Sequence, residues 1–135
     1  MTAEFEQLAA FAETLYRGNF SRTGDGEFAV AAADGETAIR FAALPGNPAM
    51  VVARARILSM DDVRRSADFA KAALAGNFFW GGTRGATLSV GDDGGLYITE
   101  RRFTGELAEE EGLESCIDDF SETAADWRER SSLYA

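Results

Sequence analysis

Gly81-Gly82-Thr83-Arg84-Gly85 is the stretch whose composition most invites a chemical reading, because a glycine-rich loop can bring backbone N–H groups around a phosphate. It lacks the Gly-Lys-Ser/Thr ending of a phosphate loop, and a strand rather than a helix is expected after it, so it is predicted to be a connection. Asp92-Asp93 offers two carboxylates to a cation, but the spacing misses the calcium-loop pattern and a turn accounts for the pair. Glu109-Glu110-Glu111 and Asp118-Asp119 carry carboxylates suited to acid–base work. Chain neighbours on a helix diverge by about 100°, so these do not converge on one atom and are expected to form a solvated face. Cys116 falls among apolar residues, and the chain contains no histidine to activate it. The sequence therefore offers no catalytic constellation, no metal site and no cofactor site.

The totals narrow the field further. The 135 residues fit one domain spanning 1–135, and 46% hydrophobic content is enough for a core. A net charge of −10 argues against nucleic acid and anionic membranes as partners. The single cysteine fits a reducing compartment. The first twenty residues show no secretory signal, and no apolar run approaches the ~18 residues that span a bilayer, so a cytoplasmic protein without membrane insertion is expected.

What must position these residues is an alternation of helices and hairpins. Ala3 to Arg17 repeats Phe5, Leu8, Ala12 and Leu15 at helical spacing, with Ala9, Phe11 and Tyr16 beside them, and Gly18-Asn19 ends the helix. Its apolar arc is about 160° wide, where about 100° serves one core contact. Ser21 to Glu27 is expected to be a polar loop. Phe28–Ala32 and Thr37–Phe41 flank the hairpin signal Asp34-Gly35, and Met50–Ile57 adds a third strand after a proline-containing loop. Ser59 with Asp62 resembles a capping box opening a helix whose stripe is Met60, Val63, Ala67, Ala70 and Leu74, with Phe69 on the far face next to Ala73. Phe78-Phe79-Trp80 precedes a second hairpin, Thr87–Val90 and Leu96–Thr99 around Gly91–Gly95. Leu113, Cys116, Ile117, Phe120, Ala124 and Trp127 then line a final helix with an acidic opposite face. The predicted fold is α+β: helix, three-strand antiparallel meander, helix, two-strand hairpin, helix.

Two surfaces are expected to be in surplus. Phe69 and Ala73 on the second helix, with Phe78, Phe79, Trp80, Leu88 and Val90 after it, form a candidate self-association patch. Leu8, Phe11 and Leu15 occupy the edge of the first helix not required by its own core, a candidate site for a bound polypeptide.

The segment Ala73 to Trp80, followed by Gly81 to Val90, resembles the leu–x–x–Asn–x–x–x … Gly–Gly–ala–x–leu–x–x pattern of the class I type III secretion chaperones, the Tir-chaperone (CesT) family. The second glycine of that pair is missing, since Ala86 directly follows Gly85. Trp127 near the end of the last helix is also similar to the family. The resemblance implies a homodimer that binds the unfolded N-proximal segment of a secreted effector, acting in the bacterial cytoplasm without nucleotide. A strongly negative chaperone would favour clients with basic segments near the contact. A small-molecule binder or enzyme with a pocket at Trp80–Gly85, and a structural subunit of a larger assembly, are the competing readings.

Overall fold

The computed structural model describes residues 2–135. Thr2 caps the first helix, α1 (Ala3–Leu15), its hydroxyl oxygen accepting from the Phe5 amide at 3.3 Å, and Glu4 and Glu6 suit the positive end of the helix dipole. Four strands follow in succession: β1 (Phe20–Gly24), β2 (Glu27–Ala31), β3 (Ala38–Ala43) and β4 (Met50–Ser59). Next come α2 (Ser66–Gly76), β5 (Thr87–Val90), β6 (Gly95–Phe103), a short α3 (Thr104–Leu107) and the long α4 (Glu110–Ser131). The strands form one six-stranded sheet in the order β1-β2-β3-β4-β6-β5, every neighbouring pair antiparallel.

The α+β class is as expected, with two corrections to the element pattern. Ser21 to Glu27 is not wholly a loop, because Phe20–Gly24 pairs with β2 as an edge strand. Ser21, Arg22, Thr23 and Gly24 all face solvent, so β1 carries none of the alternation by which a half-buried strand is recognised. The second helix starts later than expected. Ser59 caps only a 3₁₀ turn, Met60–Asp62, and Val63 is extended, so α2 begins afresh at Ser66 with a different phase. Phe69 and Ala73 are consequently its buried residues, while Leu74 is 70% exposed. Packing selects that phase: the Phe69 ring lies 6.0 Å from Trp127 and 5.4 Å from Tyr134.

Strand alternation gives the sheet two unlike faces. Phe28, Val30, Ile39, Phe41, Val51, Ala53, Ala55, Leu96 and Ile98 turn inward to the core shared with α1 and α4. From α4 the buried set is Leu113, Cys116, Ile117, Phe120, Ala124 and Trp127, the stripe expected from spacing. The opposite face carries Ala38, Arg40, Arg54, Arg56, Tyr97 and Thr99, and among the described residues no helix covers it.

The C-terminal half of α4 is fastened to the β2–β3 turn by polar contacts. Arg128 donates from Nε to the Ile57 carbonyl and from a terminal nitrogen to the Thr37 hydroxyl, both at 2.8 Å. Asp34 accepts from the Glu36 and Thr37 amides, the Thr37 hydroxyl and, across from α4, the Ser121 hydroxyl. Partial burial alone would raise the Asp34 pKa, but these donors outweigh it and hold the carboxylate at about 2, below its usual 3.8.

Because the folded-state value is depressed, the ionised Asp34 adds stability that is complete above pH 3.8 and is lost as pH falls through about 2. Urea unfolding of the native chain and of Asp34→Asn at graded pH should show a constant gap above that window, closing within it.

Candidate interaction site

The residues with chemical potential are dispersed. Asp93 holds the β5–β6 turn, accepting from the Tyr97 hydroxyl and the Gly95 amide, and the Tyr97 bond leads the lowering of its pKa. Cys116 has no exposed surface, and burial pushes its thiol to about 12, so the thiolate needed for nucleophilic attack is not populated near neutrality. Among the described residues no group of three or more His, Cys, Asp or Glu side chains is placed to hold a metal, and no helix is long and apolar enough to cross a membrane. Gly82 offers its carbonyl to the Trp127 indole N–H at 2.9 Å, and Arg84 turns to α4, reaching Asp126 at 2.8 Å and the Thr123 hydroxyl at 3.0 Å. The Trp80–Gly85 loop is thus packed against α4, with its polar groups directed at the protein itself. The Thr83 hydroxyl is the exception, buried with no hydrogen-bond partner among the described residues.

The junction between α2 and β5 is unusual in three respects. Asn77, directly after α2, pairs with the Leu88 backbone as a strand would: its amide nitrogen donates to the Leu88 carbonyl at 3.0 Å, and its oxygen accepts from the Leu88 amide at 2.7 Å. This occupies the middle of the outer edge of β5. The backbone is strained, with Phe79, Trp80 and Arg84 at φ of 49°, 57° and 52°. For residues with a Cβ, that conformation costs on the order of 1 kcal/mol or more each and persists only where surrounding contacts enforce it. Finally, the junction is apolar and open. Phe78 is 73% exposed and Phe79 80%, their rings edge-on at 4.7 Å, and Trp80, Leu74 and Val90 are also exposed. Each large aromatic carries about 150–250 Å² of surface, so the cluster amounts to several hundred Å² of apolar area, the size that marks an interaction site.

The predicted self-association residues therefore divide. Phe78, Phe79, Trp80 and Val90 are at the surface, and the rings of Phe78 and Phe79 meet edge-on. Phe69, Ala73 and Leu88 are not at the surface: each is at most 4% exposed and belongs to the core of the protomer. Leu74, assigned by periodicity to the core, joins the open patch instead. On α1, Leu8 is wholly buried with Phe5, Ala9 and Ala12, so it is core and presents no surface. Phe11 and Leu15 are half-buried at the margin of the same core. Sequence reasoning missed the structural use of Asn77, for which a side-chain amide just after a helix and before a strand was the only signal.

Residues 6–128 match the sequence model of the Tir chaperone protein (CesT) family. Among curated proteins no sequence matches the chain. The fold is similar to a chain in the crystal structure of the ExsC–ExsE complex, with TM-score 0.68 and 15% identity over 93% of this chain and 90% of the other. It is also similar to a chain in the crystal structure of the Yersinia pestis type III secretion chaperone SycH with a stable fragment of YscM2. There the TM-score is 0.55 and the identity 13%, covering 98% of this chain and all of that one.

Removing the Asn77 amide leaves both Leu88 backbone groups without their partner. Asn77→Ala should cost about 1–3 kcal/mol in urea unfolding and speed hydrogen exchange at the Leu88 amide. Asn77→Asp keeps the acceptor but loses the donor, and should fall between the two.

Proposed function

The chain belongs to the Tir chaperone protein (CesT) family, and from that premise we propose that it is a homodimeric type III secretion chaperone. It binds an extended N-proximal segment of a secreted effector in the bacterial cytoplasm and keeps that segment soluble and competent for export. It does so by surface contact alone, without nucleotide, metal or catalysis. The observation that carries this reading is the open apolar junction of Leu74, Phe78, Phe79, Trp80 and Val90, held in place by a strained backbone and the Asn77 pairing. Such a patch on a soluble chain needs a partner, and a self-complementary patch related by a two-fold axis is the simplest one.

The client surface is separate. The half-buried Phe11 and Leu15 form an apolar margin on α1, and the polar edge of β1 is free for an extended segment to pair with. Main-chain pairing supplies affinity in such contacts, and pockets for alternate side chains supply selectivity. Holding the client extended keeps it from folding or aggregating, at an ordering cost drawn from the binding energy. The two similar structures each contain a protein partner, ExsE in one and a YscM2 fragment in the other, which supports a protein-binding role.

Light scattering should give a dimer mass at micromolar concentration. Phe79→Asp with Trp80→Asp should give a monomer of nearly unchanged thermal stability, because both side chains are solvent-facing in the protomer. A native chain that is monomeric at every concentration overturns the dimer.

Co-expression with the N-terminal segment of the effector encoded nearest its gene should yield a stable complex that Phe11→Asp abolishes. Leu113→Asp should instead unfold the chain, since Leu113 is wholly buried and an unpaired buried charge costs several kcal/mol. If Phe11→Asp collapses the protein just as Leu113→Asp does, α1 serves only the core.

A further inference from the structure

The uncovered face of the sheet has the opposite charge to the rest of the molecule. On a chain of net charge −10, its strands carry Arg40, Arg54, Arg56 and Arg101 against the carboxylate of Glu27, with Glu36 and Asp93 from the flanking turns beside them. Arg40 and Arg54 stand directly opposite each other on β3 and β4, a like-charge pairing that is unfavourable unless something bridges it. Glu27 does so, reaching Arg40 at 3.2 Å and Arg54 at 3.1 Å, so a carboxylate already fits between these guanidinium groups. Arg56 has less. Its nearest acidic oxygen, on Asp93, is 3.9 Å away, and that carboxylate is engaged by Tyr97 and Gly95.

The local backbone is shaped around Arg56. A β-bulge interrupts the β4–β6 register between Arg56 and Leu58, and the displaced carbonyls of Arg56 and Ile57 are taken up by Arg128. Gly95 leaves the space over which the Arg56 side chain lies, and a Cβ there would collide with Nε. The outcome is a groove of about 640 Å³ whose lining includes Arg40, Arg54, Arg56, Arg128 and Tyr97, with Glu36 as its acidic member.

We propose that this groove docks an acidic, extended segment of a partner polypeptide. Arg54 and Arg56 are two residues apart on one strand face, about 7 Å, which is also the spacing of alternate side chains in an extended peptide. Carboxylates at alternate positions of a segment laid along β4 meet both guanidinium groups, each able to bind in the planar two-point manner of arginine. A continuous polyphosphate fits less well, because Glu27 interrupts the guanidinium row between Arg40 and Arg54, whereas separate carboxylates at alternate positions match Arg54 and Arg56 one by one. The proposal rests on the reading of this chain as a binder of extended polypeptide, but it adds a second contact of opposite chemistry to the apolar margin of α1.

The test is fluorescence anisotropy with a labelled short peptide of alternating aspartate and threonine. A lysine–threonine peptide and an oligothymidylate of equal length serve as controls, at low salt and at tenfold higher salt. The aspartate peptide should bind the native chain, weaken as salt rises, and lose about tenfold or more of its affinity in Arg54→Gln/Arg56→Gln. Amide shifts on adding the peptide to the native chain should fall on β3, β4 and β6, a readout independent of whether the variant folds. Absence of binding, equal binding by a folded variant, tighter binding of oligothymidylate, or shifts elsewhere each overturn the proposal. So does a change in oligomeric state in the double variant, which would make the occupant a second copy of this chain. Capture of the effector segment by the native chain is measured alongside. Its persistence while the peptide arm fails rejects the groove alone, and its absence rejects the chaperone reading.

Discussion

The structure depends on the seat of Trp127. Its ring lies under the backbone at Gly76 and Gly82, so closely that a Cβ at Gly76 would come within 2.5 Å of it and one at Gly82 within 3.3 Å. Its indole N–H closes on the Gly82 carbonyl, the Phe69 ring packs on one side, and the Arg130 guanidinium lies 4.5 Å from the ring centroid. One side chain thereby joins α4, the end of α2 and the loop before β5. Because only glycine fits against the ring at Gly76 and a Cβ would be crowded at Gly82, the chain passes close to the ring at both points. The aromatic residues between those points, Phe78, Phe79 and Trp80, lie outward. Phe79 and Trp80 accept left-handed backbone, and the apolar junction is the visible consequence.

That chain of causes explains which parts of the molecule were legible in the sequence. The α4 stripe was legible because helix period alone fixes it, and the β2–β3 hairpin because Asp34-Gly35 specifies a tight turn between alternating segments. The phase of α2 was not. Periodicity assumes an unbroken helix, and the extended residue at Val63 resets the count before Phe69 finds its place against Trp127 and Tyr134. The edge strand β1 was missed for a related reason. Its hydrogen bonds to β2 are backbone property, while its side chains answer only to solvent. Of the site, the surplus of Phe78, Phe79 and Trp80 was visible as composition. A wide apolar arc does not say which edge the core uses, so spacing alone puts Leu8 on the open edge of α1 although the core takes it.

Charge is sorted in space rather than mixed. Acidic side chains crowd the outer side of α4, including Glu114, Asp118 and Glu122, while the arginines of β3 and β4 collect on the uncovered sheet face. A solvated sheet face is ordinary for an antiparallel sheet, but its usual surfaces mix both signs. Here Glu27 neutralises only part of the arginine set.

The two edges of the sheet are treated differently, and this bears on which surface can adapt to a variable partner. At β5 the Asn77 amide already fills the pairing position at Leu88, and the strained loop beside it is pinned to α4 by Trp127 and Arg84. Such an edge is preformed and costs little to bind, provided the partner matches it, which suits a fixed and repeated contact. At β1 the strand is short, polar and irregular in register near Gly24, with Arg22 held only by an exposed pair to Glu6 of α1. Exposed ion pairs of this kind contribute at most about 1 kcal/mol, so β1 can shift to meet different segments at little cost. The contrast between a rigid edge and a compliant one follows from where the chain places its side-chain contacts, dense beside β5 and sparse along β1.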